Sequence, residues 1–114
     1  MKAALVVLAC LVLVPVAAAR NFKVDLAVTP APDVAVASTI TGCGFAAGSS
    51  VRLFIEWYAT DDPKSQEFSY TDQYTAADAN GCIAYPWAPS QDGYWEIWAL
   101  QGVHVMGKVV FDVD

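Results

Sequence analysis

The chain has 114 residues and a mean hydropathy of +0.39, and its 12 acidic residues outnumber 6 basic ones to give a net charge of −6. A domain of this charge repels phosphate backbones, so the composition disfavours nucleic-acid binding.

The first residues have the pattern of a secretory signal peptide. Lys2 precedes the 17-residue apolar run "AALVVLACLVLVPVAAA", whose small residues fit cleavage after Ala19. The rival interpretation is a membrane anchor, but the run is at the lower length limit for a span and Pro15 weakens it as a helix. We predict a signal peptide over 1–19 and one domain over 20–114. The domain is expected to be extracellular or periplasmic, with no membrane attachment after cleavage.

The rest of the sequence alternates apolar and polar residues with period two, and Gly, Pro, Asp and Asn clusters separate the runs. Strand-like runs recur at spacings of about ten residues, which is typical of an antiparallel β-sandwich. Pro86 interrupts the fifth run and predicts an edge or a bulge there. In chain order the seven runs are "FKVDLAVT", "VAVASTIT", "VRLFIEWYA", "EFSYTDQYT", "CIAYPWA", "YWEIWAL" and "VHVMGKVVFDVD".

Two cysteines, Cys43 and Cys82, lie in the predicted domain. An even count in a secreted chain indicates a disulfide, and two cysteines permit one internal pairing. The bridge would stabilise the fold by roughly 4 kcal/mol in the chain-entropy model. A metal site is the weaker interpretation, because two isolated cysteines and the single histidine, His104, make a poor ligand set.

Two turns carry glycines that could suggest ligand binding. "GCGF" is followed at Val51 by a strand pattern, whereas a phosphate-binding loop needs a helix there. "DANG", residues 78–81, has oxygens spaced as in half of a calcium loop, but no bidentate Glu follows. Asp61 and Asp62 could add ligands only if the loops converge. We therefore expect neither a metal nor a cofactor.

Signals for catalysis are weak. No Gly-x-Ser-x-Gly elbow is present, and His104 lies alone on a predicted strand. Glu56 and Glu96 also lie on predicted strands, and either could belong to a catalytic pair, but the sequence does not bring them together. We predict that the protein is not an enzyme, and a secreted hydrolase is the third alternative.

The segments "STITGCGFAAGSSVRLFI", "YTAADANGCIAY", "DGYWEIWAL" and "GKVVFDVD" resemble the layout of secreted bacterial immunoglobulin-like domains. The resemblance covers residues 22–114 and implies an immunoglobulin-like β-sandwich of about seven strands. In that fold the second and fifth strands are antiparallel neighbours, which implies that Cys43 and Cys82 meet. The enediyne-binding chromoprotein family is similar at the "GxG" and "ADANG" turns, but it usually carries two short-loop disulfides.

Aromatic residues are the one feature that suggests a binding surface. On the sixth run, alternation places Tyr94, Glu96 and Trp98 on one face and Trp95, Ile97 and Ala99 on the other. Both faces cannot be core in a two-layer sandwich, so one set should be partly exposed. Exposed aromatics often mark interfaces. The alternative interpretation is that a small core simply uses large residues.

The candidate binding residues are Trp95, Trp98, Tyr94 and Trp87. We predict a secreted, non-catalytic module with a binding or structural role at the cell surface or outside it. Its partner would be an extracellular protein or a polysaccharide. The alternative is a carbohydrate-binding module that stacks sugar rings on Trp95 or Trp98.

Overall fold

The computed structural model describes residues 22–59 and 68–114. The predicted signal peptide and the loop that contains Asp61 and Asp62 lie outside the described residues. The described chain is all β, with strands β1 (Ala27–Thr29), β2 (Ser38–Cys43), β3 (Ser50–Tyr58), β4 (Phe68–Ala76), β5 (Cys82–Trp87), β6 (Gly93–Gln101) and β7 (His104–Val113). No helix that could cross a bilayer is present in residues 22–59 and 68–114.

The strands form two antiparallel sheets packed as a sandwich, which confirms the predicted fold class. One sheet has the order β1-β2-β5, and the other has the order β4-β3-β6-β7. In the constant-type immunoglobulin arrangement the fourth strand lies beside the fifth. Here β4 pairs with β3 instead, which widens the second sheet to four strands. The strand that contains Pro86 is at a sheet edge, as predicted.

The core lies between the two sheets and follows from the alternation of each strand. On β3, Val51 and Leu53 are fully buried, and on β6 Ile97 is fully buried. The facing sheet contributes Ile40 from β2 and Ile83 from β5. The apolar positions of these strands therefore pack against one another, while the intervening positions point outward.

The disulfide between Cys43 and Cys82 is present, as predicted. The two residues are directly opposite each other in the β2–β5 ladder, with 4.0 Å between their Cα atoms. Gly81, in the adjoining turn, accepts hydrogen bonds from the amides of Gly44 and Phe45. A Cβ on Gly81 would lie 2.4 Å from the carbonyl oxygen of Phe45, and its φ is +77°, so this position requires glycine.

The "DANG" segment is a turn stabilised by its own aspartate. The Asp78 carboxylate accepts hydrogen bonds from the amides of Asn80 and Cys82. Within residues 22–59 and 68–114, no group of three or more His, Cys, Asp and Glu side chains is arranged to hold a metal ion.

Strand β2 begins later than the sequence pattern predicts. The run was expected to be a strand from Val34, but Val34 and Val36 are exposed and the ladder begins at Ser38. The Asp33 carboxylate accepts a hydrogen bond from the Val34 amide, and Ala35 has a φ of +60°. The Val36 amide donates to the Asp33 carbonyl, and the turn that this bond closes replaces the first half of the predicted strand.

Strand β1 is also shorter than predicted. Only Ala27–Thr29 pairs with β2, although Val24 and Leu26 are buried in the core as their alternation implies. The Val24 amide donates to the carbonyl of Met106, on β7. The beginning of the domain thus contacts the four-stranded sheet before the chain joins the three-stranded one.

Candidate functional site

The surface that combines the most large side chains with charged groups is the outward side of the four-stranded sheet, which we call the outer face. Its members are the residues of β3, β4, β6 and β7 that alternate with the buried positions. The strand register arranges them in rows across the sheet. These rows are Phe68–Tyr58–Tyr94–Asp112, Tyr70–Glu56–Glu96–Val110, Asp72–Phe54–Trp98–Lys108 and Tyr74–Arg52–Leu100.

Aromatic rings on the outer face form one connected cluster. Tyr58 contacts Phe68 at 5.0 Å between ring centroids and Tyr94 at 6.0 Å. Tyr70 contacts Phe68 at 6.0 Å and Phe54 at 5.1 Å. The interplanar angles of these four pairs range from 37° to 51°. The rings are therefore tilted against one another and do not make a flat surface.

The cluster is most accessible along β4. Phe68 is 43% exposed, Tyr70 57% and Tyr74 64%. Val110, at the opposite side of the sheet on β7, is 45% exposed. Phe68 and Tyr70, whose rings are in contact, are therefore the most exposed part of the connected cluster.

Two carboxylates lie side by side at the centre of the outer face. Glu56 and Glu96 are directly opposite each other on β3 and β6. The indole Nε1 of Trp98 donates a 2.8 Å hydrogen bond to Oε1 of Glu56. Glu96 is only 7% exposed, and the Nζ of Lys108 lies 3.8 Å from its Oε1. One ammonium group thus faces two adjacent acids.

The surroundings of Glu56 make its carboxyl easier to protonate than that of a solvated glutamate. Burial raises the pKa of Glu56 above 4.5, the hydrogen bond from Trp98 lowers it, and the adjacent Glu96 raises it again. The pKa of the Tyr58 hydroxyl is also raised, first by burial and then by the nearby Glu56 and Glu96. The centre of the outer face therefore carries excess negative charge that its own lysine balances only in part.

Both cations of the outer face are held by aromatic and acidic neighbours. Arg52 donates to the two carboxylate oxygens of Asp72 at 2.7 and 3.1 Å, and this contact raises the pKa of Arg52. The Arg52 guanidinium lies 5.3 Å from the ring centroid of Phe54. The Lys108 ammonium lies 4.3 Å from that of Trp98 and covers one side of the indole.

The structure separates the four candidate binding residues into two pairs. Tyr94 and Trp98 lie on the outer face and are half-buried. Trp95 is 6% exposed and belongs to the core, where it meets the half-buried Trp87 of β5 edge-on at 5.2 Å. A stacking surface that contains both Trp95 and Trp98 is not formed, because the two indoles are on opposite sides of one sheet.

Trp87 and Trp95 line an open cavity of about 230 Å³ between the sheets, together with Trp57 and the β4 residues Ser69 and Thr71. The Nε1 groups of Trp57 and Trp95 donate to the backbone carbonyls of residues 92 and 91. Two of the three indoles are thus fixed by the loop before β6.

Sequence reasoning missed five aromatic members of the outer face. Alternation in the fourth run does place three of them on one side, but it does not say which side is covered. The other two lie on the polar side of the third run. The missed residues are Phe54, Tyr58, Phe68, Tyr70 and Tyr74. The pairing of Glu56 with Glu96 depends on the β3–β6 register, which has no local sequence signal.

No family model matches the chain, and no curated protein is similar enough to be identified as a relative.

Proposed function

We propose that the protein is a secreted, non-catalytic binding module whose partner is another protein, bound by the outer face of the four-stranded sheet. The observation that carries the proposal is the connected cluster of exposed, mutually tilted aromatic rings. Tyrosine and other aromatic residues are enriched at protein interfaces, where they supply large contact areas at a low entropic cost.

Ring geometry favours a protein over a polysaccharide as the partner. A sugar chain stacks on rings that present a common plane, whereas neighbouring rings here are tilted by 37–51°. The one tryptophan on the outer face, Trp98, has Lys108 over its ring. Irregular ridges of this kind fit the side chains of a protein surface, which can fill the spaces between the rings.

Charge indicates what the partner presents at the centre of the contact. Glu56 and Glu96 face a single ammonium, and the chain as a whole has a net charge of −6. A lysine or arginine of the partner placed over Glu56 would reduce the repulsion within the acidic pair. The proposed partner therefore has an apolar surface around a basic side chain.

Secretion is the part of the proposal that rests on the sequence. The leader pattern of residues 1–19 and the Cys43–Cys82 disulfide are both expected of an exported chain. Disulfides persist in oxidising compartments and are rare where thiols are kept reduced.

The test is selection of a phage-displayed random peptide library on the oxidised protein. A triple variant, Phe68→Ser, Tyr70→Ser and Tyr74→Ser, removes the exposed rings of β4. A double variant, Val36→Ser and Val103→Ser, is the matched control, since both valines are exposed but lie off the outer face. We expect enriched peptides with basic and apolar residues that bind the wild type and the control, and that lose binding to the triple variant.

Two results would overturn the proposal. One is a selection in which no peptide is enriched, or in which the triple variant binds the enriched peptides as well as the wild type does. The other is retention of the protein on cellulose, chitin or xylan that is lost in Trp87→Ala, which would place a carbohydrate site in the cavity between the sheets.

A further inference from the structure

In residues 22–59 and 68–114 the two sheets have four edge strands, and three of them carry features that discourage pairing with another chain. Strand β1 has only 3 residues, and β5 contains Pro86. Strand β7 has Lys108 and an irregular register opposite Ala99 and Leu100. Short length, proline, lysine and bulges are the usual protections of exposed edges.

Strand β4 has none of these protections. It spans 9 residues with the sequence FSYTDQYTA, without proline, glycine or lysine. Every residue except Thr75 is exposed, and the ladder with β3 has no irregularity. Its single charged residue, Asp72, is held by Arg52 through two hydrogen bonds. The edge is therefore long, regular and locally neutral.

Among residues 22–59 and 68–114, no backbone group outside β3 is hydrogen-bonded to the backbone of β4. The Ala77 amide donates to the Ser49 carbonyl, and bonded pairs recur at every second residue of an antiparallel ladder. Residues 69, 71, 73 and 75 thus bond to β3, while the amides and carbonyls of 68, 70, 72 and 74 point away from the sheet. The outward groups belong to the residues whose side chains lie on the outer face.

We propose that two copies of this chain pair through β4, in antiparallel orientation, with Thr71 on the two-fold axis. In this register Phe68 is opposite Tyr74 of the second copy and Tyr70 is opposite Asp72. Each such pair can exchange two backbone hydrogen bonds. Aromatic–aromatic and Thr–Thr cross-strand contacts are among those that stabilise sheets.

Neighbouring registers are less favourable. Centring the pair on Asp72 would place two carboxylates directly opposite each other, which destabilises a ladder. Centring it on Tyr70 would set Asp72 against Phe68 and shorten the overlap. The Tyr70-centred register also pairs two tyrosines, but it leaves Tyr74 without an opposite residue in β4. Of the three registers, the Thr71-centred one alone keeps the two aspartates apart and retains the Phe68–Tyr74 aromatic pairs.

Dimerisation through β4 joins two four-stranded sheets into one continuous sheet. Since paired residues of antiparallel strands point to the same side, the two outer faces become one surface. The aromatic rows of the copies then meet at Phe68 and Tyr74. The inference goes beyond the proposed function, because the pairing uses backbone groups at the edge of β4, while the side chains of the outer face only select its register.

The test is sedimentation velocity of the oxidised protein from micromolar to millimolar concentration. Thr71→Lys places two ammonium groups opposite each other at the axis. Its matched control is Ala84→Lys, which adds the same charge at an exposed position of β5. We expect a wild-type dimer whose dissociation constant rises about tenfold or more in Thr71→Lys and is unchanged in Ala84→Lys.

A second pair of variants separates the contribution of the backbone hydrogen bonds to dimerisation from that of the Tyr70 side chain. Tyr70→Pro removes an outward amide, whereas Tyr70→Thr removes the ring and keeps the amide. We expect the proline variant to be monomeric and the threonine variant to dimerise, with thermal unfolding used to verify that both are folded. A wild type that stays monomeric at every concentration, or a dimer that Thr71→Lys leaves intact, would overturn the inference.

Discussion

The inner and outer faces of the four-stranded sheet are both rich in large apolar side chains, yet they have opposite environments. On β3, Leu53 is fully buried and Ile55 is 2% exposed, while their neighbours Phe54 and Tyr58 remain half-exposed. The difference lies in what covers each face. The three-stranded sheet lies over the inner face, whereas the outer face carries charged groups and exposed rings.

Hydrophobicity alone therefore does not determine which face of this sheet belongs to the core. The inner face of β3 and β6 consists of aliphatic residues and tryptophans without charge. The outer face sets Arg52, Glu56, Glu96 and Lys108 among its rings. Charges paired within a half-exposed surface indicate that water, and not the other sheet, covers the outer face.

Removal of the disulfide has the largest expected effect, and it tests the three-stranded sheet that covers the inner face, since the bridge joins β2 to β5 within that sheet. The double variant Cys43→Ser and Cys82→Ser should lose about 4 kcal/mol of unfolding free energy, because the bridge closes a long loop in the unfolded chain. Urea denaturation followed by tryptophan fluorescence measures this loss. A loss below about 1 kcal/mol would contradict a stabilising role for this bridge through loop closure.

Ile97→Ala tests the inner face directly. Ile97 is fully buried, so truncation leaves a cavity and should cost about 3 kcal/mol. Val110→Ala on the outer face, at a residue that is 45% exposed, should change the unfolding free energy by less than about 0.5 kcal/mol. Similar costs for the two substitutions would show that the outer face is also covered in solution.

Glu56→Gln tests the acidic centre of the outer face. The folded-state pKa of Glu56 is raised above 4.5, so the folded chain binds a proton more tightly than the unfolded chain. Its contribution to stability is complete below pH 4.5 and is lost as the pH rises through the raised pKa. Glutamine keeps an oxygen that accepts the hydrogen bond from Trp98, and it does not ionise, so stability is no longer lost as the pH rises.

The Glu56→Gln variant should therefore be more stable than the wild type by about 0.5 kcal/mol at neutral pH. The advantage should shrink as the pH falls toward the ordinary glutamate pKa. Chemical denaturation at a series of pH values measures both effects. An advantage that does not depend on pH would contradict an electrostatic origin.

Tyr74→Ser gives the smallest expected change in stability, within about 0.5 kcal/mol, because the ring is 64% exposed. The same substitution should weaken binding of the selected peptides by roughly tenfold, since exposed tyrosines at interfaces are frequent hot spots. Thermal unfolding and peptide titration on one sample separate these effects. Tyr74→Phe is the conservative control, because it keeps the ring, and it should retain binding. Tight peptide binding by a folded Tyr74→Ser variant would contradict a contribution of this ring to the site.

Much of the fold follows from local sequence patterns. Period-two alternation and turn residues predict all seven strands, and Cys82 lies just after an Asn–Gly turn, where its strand begins. The pattern fails at Val34 and Val36, because their alternation is apolar but a backbone turn from Asp33 to Val36 occupies the segment. The positive φ of Ala35 within this turn is incompatible with an extended strand.

The candidate site is harder to derive from sequence for a physical reason. Alternation on β6 correctly separates Trp95 from Trp98, but either side could be the core. The choice is made by the strands that pack from the other sheet, which are distant in the chain. The Glu56–Glu96 contact likewise depends on the register between β3 and β6. That register pairs two residues that are 40 positions apart in the sequence.

The position of the disulfide has a consequence for proteolysis. Cys43 and Cys82 are 39 residues apart in sequence, and the ring that they close contains all of β3 and β4. A protease that cuts once between these cysteines leaves both fragments covalently joined. Such a cut leaves the apparent mass of the protein unchanged under non-reducing conditions. Two smaller fragments are detected only after the disulfide is reduced. The edge strand β4 and most of the aromatic cluster would thus remain attached to the nicked molecule in a protease-rich environment.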